Sequence, residues 1–128
     1  MQTQEFLKRM ESAFSSQLPG VEAHQLLTPG KRPLTRDEVE DINEYRESAV
    51  AIVCFPVNDE IHSLLIQRPK YEGIHGGQIS FPGGKRESSD ASIEFTARRE
   101  TREEIGWELE KVNFIGKLTE LFVPVSKF

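Results

Sequence analysis

Three glutamates grouped near the end of one predicted helix are the residues whose types and spacing best suit chemistry. Glu100, Glu103 and Glu104 all fall within residues 99–106. On a helix, Glu100 lies one turn from the other two, so the three carboxylates can face one side. Like charges at such spacings cost roughly 0.2–0.5 kcal/mol per pair, and acids in the last turn oppose the helix dipole. A divalent cation would reverse both effects, because Mg²⁺ prefers carboxylate oxygens.

A solvated acidic face is the alternative explanation, and neighbouring arginines could balance its charge. The preceding sequence favours the metal site. Phe81-Pro82-Gly83-Gly84 comes shortly before the helix, and two glycines let the backbone turn sharply and approach a ligand closely. Such a loop can also point backbone N–H groups at phosphate oxygens. A Gly-Gly loop, a capped helix and three acids in this order predict a metal-dependent phosphate site.

Residues 84–107 resemble the Nudix box, whose usual form is G-x5-E-x7-R-E-U-x-E-E-x-G-U, with U an apolar residue. The matching positions are Gly84, Arg99, Glu100, Glu103, Glu104, Gly106 and Trp107. Asp90 replaces the first glutamate, one extra residue separates it from Arg99, and Thr101 stands at an apolar position. Aspartate with the longer spacing is typical of the coenzyme A pyrophosphatase branch of the Nudix superfamily.

The upstream segment is similar to that branch's own signature, L-L-T-x-T-(S/A)-x3-R-x3-G-x3-F-P-G-G. The matching positions are Leu64, Leu65, Gly77, Phe81, Pro82, Gly83 and Gly84. The replaced positions are Ile66, Arg68, Pro69 and Gly73, the last in place of the arginine. Because a coenzyme A site is expected to use cations, Arg68, Lys70 or His75 would have to compensate.

The resemblance implies a role for each acid. Glu100 and Glu104 would hold Mg²⁺ or Mn²⁺, and Glu103 would act as a further metal ligand or as the general base. Arg99 would orient a carboxylate through an ion pair, its simpler role being a surface counter-charge. The catalytic candidates are therefore Arg99, Glu100 and Glu103.

The resemblance also implies a substrate class. The expected enzyme hydrolyses the diphosphate linkage of coenzyme A to 4′-phosphopantetheine and adenosine 3′,5′-bisphosphate. The candidate substrate-binding residues are Arg68, Gly77, Gly83, Gly84 and Lys85. The alternatives are a Nudix hydrolase acting on ADP-ribose or a dinucleotide, and a non-catalytic Nudix module that binds nucleotides.

The elements that position these residues can be predicted from local pattern. Residues 90–105 form a predicted helix with Asp90 as N-cap and Gly106 at its stop. Ala49–Val57 and Ile61–Gln67 predict a hairpin, residues 78–81 a short strand, and Val112–Val125 mostly strand. This order predicts an α+β protein with a mixed β-sheet packed with helices. The resemblance implies a Nudix fold, in which a loop-helix-loop carries the metal site.

The N-terminal part predicts a different organisation. An apolar stripe at helical spacing predicts a helix over residues 3–18, ended by Pro19-Gly20. A wrapping loop follows to residue 46, with a short helix around Arg36–Tyr45. The predicted domains are residues 1–46 as an N-terminal helix and extension, and residues 47–128 as the Nudix domain. Domains of this branch usually continue past this point, so we expect an incomplete domain whose exposed sheet edges favour a homodimer or strand exchange.

Composition restricts the partners. The chain has 128 residues and a net charge of −5. It lacks the block of lysines and arginines that is typical of a nucleic-acid-binding protein. An acidic protein needs local cations or a metal to bind an anionic substrate. No apolar run approaches the ~20 residues of a membrane span, and no signal peptide is recognised, which predicts a cytoplasmic protein. The single cysteine, Cys54, cannot form an internal disulfide, and its apolar surroundings predict burial.

Overall fold

The computed structural model describes residues 3–30, 32–73, 75–109 and 113–123. The helices are α1 (Thr3–Ser15), α2 (Gly20–Leu27) and α3 (Ile93–Ile105), with 3₁₀ turns at Arg36–Glu38 and Ile42–Glu44. The strands are β1 (Ser48–Val50), β2 (Cys54–Val57), β3 (Glu60–Ser63), β4 (Ile66–Gln67), β5 (Ile79–Ser80) and β6 (Gly83–Lys85). They form three antiparallel pairs, β1–β6, β2–β3 and β4–β5. Helices with small antiparallel sheets are consistent with the predicted α+β class, but the described strands form no mixed sheet.

The chain divides into two compact units. One centres on residues 47–113, and the other joins residues 4–46 to the segment that starts at Phe114. Every described strand and α3 belong to the first unit. None of the described helices is both long and apolar enough to cross a membrane.

In the first unit, a two-residue turn produces the predicted hairpin. Asn58 and Asp59 both have positive φ, 48° and 64°, which matches the turn that suits the twist of paired strands. Val57 pairs with Glu60, so Glu60 lies in β3 and not in the turn. Cys54, at the start of β2, is exposed and not buried as expected. The hairpin prediction is confirmed, although both strands are shorter than predicted.

The second unit contains one helix that the sequence prediction missed. The first helix ends at Ser15 and a second begins at Gly20, where a break and a long loop were expected. Pro19 occupies the N-cap position of α2 with φ −62°. Proline has no N–H to lose and its fixed φ suits the start of a helix, so Pro19-Gly20 begins a helix here. The predicted helix at residues 36–45 is replaced by the two 3₁₀ turns.

The segment after residue 113 was predicted to be mostly strand, but side-chain contacts hold it instead. Residues 113–123 contain no strand, and the predicted positions 112, 124 and 125 lie outside the described residues. Phe122 is 7% exposed and meets Tyr45 edge to face, with ring centroids 5.7 Å apart. Arg36 binds the Glu120 carboxylate through two hydrogen bonds of 2.9 and 3.0 Å. Side-chain packing therefore holds this segment without a strand ladder.

Candidate active site

The start of α3 is set by Ser92. Its hydroxyl oxygen accepts a hydrogen bond from the Phe95 N–H at 3.1 Å, the usual N-cap contact. Asp90 was the predicted N-cap, and that prediction is wrong: Asp90 precedes the cap by two residues and its carboxylate binds other groups. The other end of the helix is confirmed. Gly106 adopts φ 75° and its N–H donates to the Arg102 carbonyl, a glycine C-cap that ends the helix.

Asp90 is buried, with 3% of its surface exposed, and four donors satisfy its carboxylate. Arg99 Nε donates to Oδ1 at 2.9 Å and Arg99 Nη2 to Oδ2 at 2.9 Å. The Glu87 N–H and the Thr96 hydroxyl each donate to Oδ2 at 2.9 Å. The hydrogen bonds from Arg99, more than those from Glu87 and Thr96, hold the pKa of the Asp90 carboxyl well below its usual range. Asp90 is therefore a buried, ionised anchor at the base of α3.

Arg99 connects that anchor to the acids of α3. Its side chain is 12% exposed, and its Nη2 also donates to the Lys85 carbonyl at 2.9 Å. Its Nη1 donates to Glu100 Oε1 at 3.0 Å and to Glu103 Oε2 at 3.3 Å. The hydrogen bonds to Asp90, followed by those to Glu100, raise the pKa of Arg99 above its ordinary value. The planar guanidinium thus binds groups on both sides at once, as its fixed fork geometry allows.

The two consecutive glycines lie in β6, where the sequence predicted a loop. Gly83 and Gly84 pair with Val50 and Ala49 of β1. A Cβ at Gly83 would overlap the Ala49 carbonyl, and one at Gly84 would lie 2.5–2.7 Å from the Glu100 carboxylate. The missing side chains admit the neighbouring strand at one position and a carboxylate at the other. These glycines therefore make room for parts of the protein itself.

The three predicted metal ligands have different surroundings. Glu100 has 18% of its side chain exposed and lies against Gly84. Glu104 Oε2 accepts a hydrogen bond from the Gly83 N–H at 3.0 Å. The Glu103 side chain is 54% exposed and turned toward Arg99. Glu100 and Glu104 thus face consecutive residues of β6, whereas Glu103 extends toward solvent.

The fit of a metal can be judged from these donors. Carboxylate oxygens beside a strand without side chains suit a hard cation, so the chemistry of Glu100 and Glu104 fits Mg²⁺ or Mn²⁺. In this arrangement, no three His, Cys, Asp or Glu side chains of the described residues are grouped closely enough to hold a metal ion. The assignment of Glu100, Glu103 and Glu104 as ligands stays a prediction.

The predicted substrate-binding residues fall at two places. Gly83, Gly84 and the exposed Lys85 lie in β6 beside the acids. Arg68 and Gly77 lie between β4 and β5: the Arg68 N–H donates to the Gln78 carbonyl at 2.9 Å and the Gly77 N–H to the Pro69 carbonyl at 3.0 Å. The Gly83 N–H is already bound to Glu104, so the expected N–H contact with phosphate would require that bond to open.

A family model for the NUDIX domain matches residues 46–128, which is well over half of the chain. The chain belongs to the Nudix family. The predicted superfamily is thereby confirmed, and Nudix hydrolases generally use divalent metals such as Mg²⁺ or Mn²⁺.

The Nudix chain is similar to several curated proteins named "Uncharacterized Nudix hydrolase NudL". Those of Yersinia pestis (strain Pestoides F) and Yersinia pseudotuberculosis serotype O:1b (strain IP 31758) are each 39% identical to it over 72 residues. That match covers 56% of this chain and 35% of each relative. The chain thus spans about a third of the length of the curated relatives that it matches.

One buried polar residue of the Nudix helix was not singled out from the sequence. Thr96 is 0% exposed and donates to the Asp90 carboxylate. The sequence signal is a threonine one turn before Arg99, a helical position that faces the preceding loop. Thr101, which replaces the apolar residue of the Nudix box, is also 0% exposed, so it occupies a buried position as the apolar residue would.

Proposed function

We propose that this chain forms the catalytic part of a Mg²⁺- or Mn²⁺-dependent enzyme that hydrolyses the diphosphate linkage of coenzyme A or its derivatives. The products would be 4′-phosphopantetheine and adenosine 3′,5′-bisphosphate. The observation that carries the proposal is the bridge made by Arg99, 2.9 Å from Asp90 and 3.0 Å from Glu100. It fixes a carboxylate against the Gly84 backbone, and membership in the Nudix family supports the reaction class.

Glu100 and Glu104 are the proposed metal ligands, with Glu103 as a third ligand or as the general base. A divalent cation there would neutralise diphosphate charge and make water a stronger nucleophile near neutral pH. The chain's own residues do the positioning. Arg99 limits the rotation of Glu100, and the Gly83 N–H does the same for Glu104. Because Glu103 is largely exposed, it can accept a proton from the attacking water.

Cationic side chains must attract the substrate, since the chain carries a net charge of −5. Lys85 follows Gly84 directly and is exposed, so it is the first proposed phosphate contact. Arg68 is the second proposed phosphate contact, and its Nε lies 3.5 Å from the Ser80 hydroxyl. Gly77, Gly83 and Gly84 are the proposed backbone contacts, and phosphate would have to displace Pro69 from the Gly77 N–H and Glu104 from the Gly83 N–H.

The coenzyme A class is supported by two features of the chain. The segment 77–84 is similar to the signature of that branch, and Asp90 with its longer spacing still reaches Arg99 with two hydrogen bonds. Gly73 stands where the signature has arginine, and this one position favours a second candidate, hydrolysis of ADP-ribose or a dinucleotide. Coenzyme A remains the proposed substrate because more of the signature is retained.

A homodimer, formed by edge pairing or by strand exchange, is the proposed assembly, and the cytoplasm is the proposed location. Each strand among the described residues pairs with one neighbour only, which leaves edges that a second copy could extend. Light scattering that finds only monomers over a wide concentration range would contradict the dimer.

Product analysis by mass spectrometry tests the reaction. Coenzyme A and ADP-ribose are each incubated with the protein, with and without Mn²⁺. We expect 4′-phosphopantetheine only with coenzyme A and Mn²⁺, and Glu100→Gln should abolish it. Glu94→Gln is the matched control, because Glu94 lies on the same helix and pairs with Arg98, away from the acids. If the protein hydrolyses ADP-ribose and not coenzyme A, ADP-ribose becomes the assigned substrate. If it binds a nucleotide but hydrolyses none, it is a non-catalytic module.

A further inference from the structure

The Thr96 hydroxyl has two acceptors within reach but only one proton to donate. Its Oγ1 lies 2.9 Å from Asp90 Oδ2 and 3.2 Å from the Ser92 carbonyl oxygen. The carboxylate is closer and charged, and hydrogen bonds to charged acceptors are the stronger ones. The Ser92 carbonyl also has another donor, the Thr96 N–H at 3.0 Å. The Thr96 hydroxyl therefore donates its hydrogen bond to Asp90.

A chain of hydrogen bonds runs from Thr96 to the acids. Asp90 takes the Thr96 hydroxyl on Oδ2 and Arg99 Nε on Oδ1, each at 2.9 Å. Arg99 continues to Glu100 through a 3.0 Å hydrogen bond. A carboxylate that is buried with several donors has little freedom to rotate, and a guanidinium paired with it at two points inherits its orientation.

We propose that Thr96 is a positioning residue, whose hydroxyl fixes Asp90 so that Arg99 holds Glu100 in its working orientation. The catalytic part of this inference rests on the proposed function, whereas the positioning part concerns side chains alone. Aspartate is one methylene shorter than the glutamate of the usual Nudix box, and Thr96 supplies a donor from the helix to the point where the shorter side chain ends. The Thr96 hydroxyl therefore accompanies the replacement of that glutamate by Asp90.

Thr101 shows what a merely structural threonine looks like on the same helix. It is equally buried, at 0% exposure, but its hydroxyl donates to the Ala97 carbonyl at 2.7 Å. This is the common return of a threonine hydroxyl to the preceding turn, and it involves no site residue. Thr96→Val and Thr101→Val therefore make the same change in chemistry and burial, and only the first interrupts the chain to Glu100.

Nuclear magnetic resonance of the metal-free protein tests the positioning directly. The side-chain Nε–H signal of Arg99 is assigned by its loss in Arg99→Lys. We expect Thr96→Val to shift this signal and speed its exchange with water, and Thr101→Val to leave both unchanged. This readout requires no substrate, so it decides the positioning even if the wild-type chain hydrolyses no nucleotide and the proposed function fails. An unchanged Arg99 signal in Thr96→Val overturns the inference.

Kinetics with coenzyme A and Mn²⁺ test the catalytic consequence. Loss of a residue that orients a metal ligand typically costs about tenfold to a hundredfold in activity. Thr96 acts on Glu100 through Asp90 and Arg99, so for Thr96→Val we expect a fall in kcat at the lower end of that range, about tenfold, with KM unchanged because the substrate contacts are intact. Thr96→Ser, which keeps the hydroxyl, should restore kcat. In an active protein, a shifted Arg99 signal without a fall in kcat, or an equal fall in Thr101→Val, overturns the inference.

A second pair of variants protects the test against misfolding. If Thr96→Val does not give the wild-type circular dichroism spectrum, Thr96→Ser and Thr96→Ala are compared, since both lack the methyl group and differ only in the hydroxyl. The inference requires the serine variant to exceed the alanine variant in kcat and to retain the wild-type Arg99 signal. Equal behaviour of the two variants overturns it.

Discussion

Arg99 binds Asp90 through two hydrogen bonds, Nε to Oδ1 and Nη2 to Oδ2, both 2.9 Å long. The remaining nitrogen, Nη1, is thereby turned toward Glu100 and Glu103. Asp90 and Arg99 are nine positions apart in sequence, and Asp90 lies before α3 while Arg99 lies within it. The pair therefore fixes the loop that precedes the helix and the acids of the helix at the same time.

Replacing Arg99 with lysine tests whether this geometry matters beyond its charge. Lysine keeps the positive charge but is a point donor without the planar fork, so it cannot bind Asp90 twice and Glu100 as well. We expect kcat to fall about tenfold to a hundredfold and the urea midpoint of unfolding to decrease. Steady-state kinetics and urea denaturation measure the two effects. Arg98→Lys is the matched control: wild-type kcat is expected there, and a similar loss in both variants would contradict a special role for Arg99.

Acid should weaken the contribution of Asp90 to stability. Its pKa is lowered in the folded protein, mainly by hydrogen bonds from Arg99, whereas the unfolded chain has the ordinary value near 3.9. The contribution is therefore complete above about pH 5 and is lost as the pH falls through the unfolded pKa toward the lowered one, because the unfolded state takes up the proton first. The free energy of unfolding, measured from pH 7 to pH 3, should differ between wild type and Asp90→Asn by a constant amount above about pH 5. Below pH 4 the difference should shrink.

Glu120 supplies the comparison for that experiment. A hydrogen bond from Arg36 also lowers its pKa, but the Glu120 side chain is 44% exposed and solvent screens the pair. Glu120→Gln should therefore change the pH dependence less than Asp90→Asn does. A difference between wild type and Asp90→Asn that stays constant down to pH 3 would mean that Asp90 is not held ionised in the fold.

The local parts of the site could be predicted from sequence, and the nonlocal parts could not. The helix, its glycine stop and the hairpin turn depend on neighbouring residues, and all three were predicted. The N-cap was not, because Asp90 and Ser92 are equally good caps and only the pairing with Arg99 removes Asp90 from that role. Thr96 was missed for the same reason, since its partner lies outside the helix.

Strand predictions failed where pairing decides the outcome. Gly83-Gly84 has the composition of a turn, yet it forms a strand because β1 pairs with it from more than thirty residues away. Residues 113–123 have the apolar, β-branched composition of a strand and show no ladder in the described part of the chain. Composition favours a strand, but only a partner at the right distance and register completes one.

Measurements of Mn²⁺ affinity should distinguish the role of Glu104 from that of Glu103. Glu104 is held by the Gly83 N–H and faces β6, whereas Glu103 is largely exposed and turned toward Arg99. If Glu104 is a ligand and Glu103 acts mainly as the base, Glu104→Gln should weaken Mn²⁺ binding about tenfold or more, and Glu103→Gln should lower kcat with little change in affinity. Electron paramagnetic resonance titration of free Mn²⁺ measures the affinity. Equal weakening by both substitutions would make Glu103 a full ligand.

Alanine substitutions at Gly83 and Gly84 should have different effects on stability and on activity. At Gly83 the added Cβ would meet backbone, the Ala49 carbonyl and Val50 Cα, which cannot move without opening the β1–β6 pair. At Gly84 it would meet only the end of the Glu100 side chain, 2.5–2.7 Å away, which can rotate aside. We therefore expect Gly83→Ala to lower the free energy of unfolding by about 1–3 kcal/mol, and Gly84→Ala to leave it nearly unchanged.

Activity should respond in the opposite order. Gly84→Ala pushes the Glu100 carboxylate off the strand and away from Arg99, so kcat should fall about tenfold to a hundredfold, although the protein is folded. Gly83→Ala should retain more of its kcat per folded molecule, because its clash lies on the β1 side of the strand. Urea denaturation and kinetics on the same samples compare the two. If Gly84→Ala proves fully active, the contact between Glu100 and the Gly84 backbone has no part in catalysis, and the orientation of Glu100 by Arg99 would have to be reconsidered.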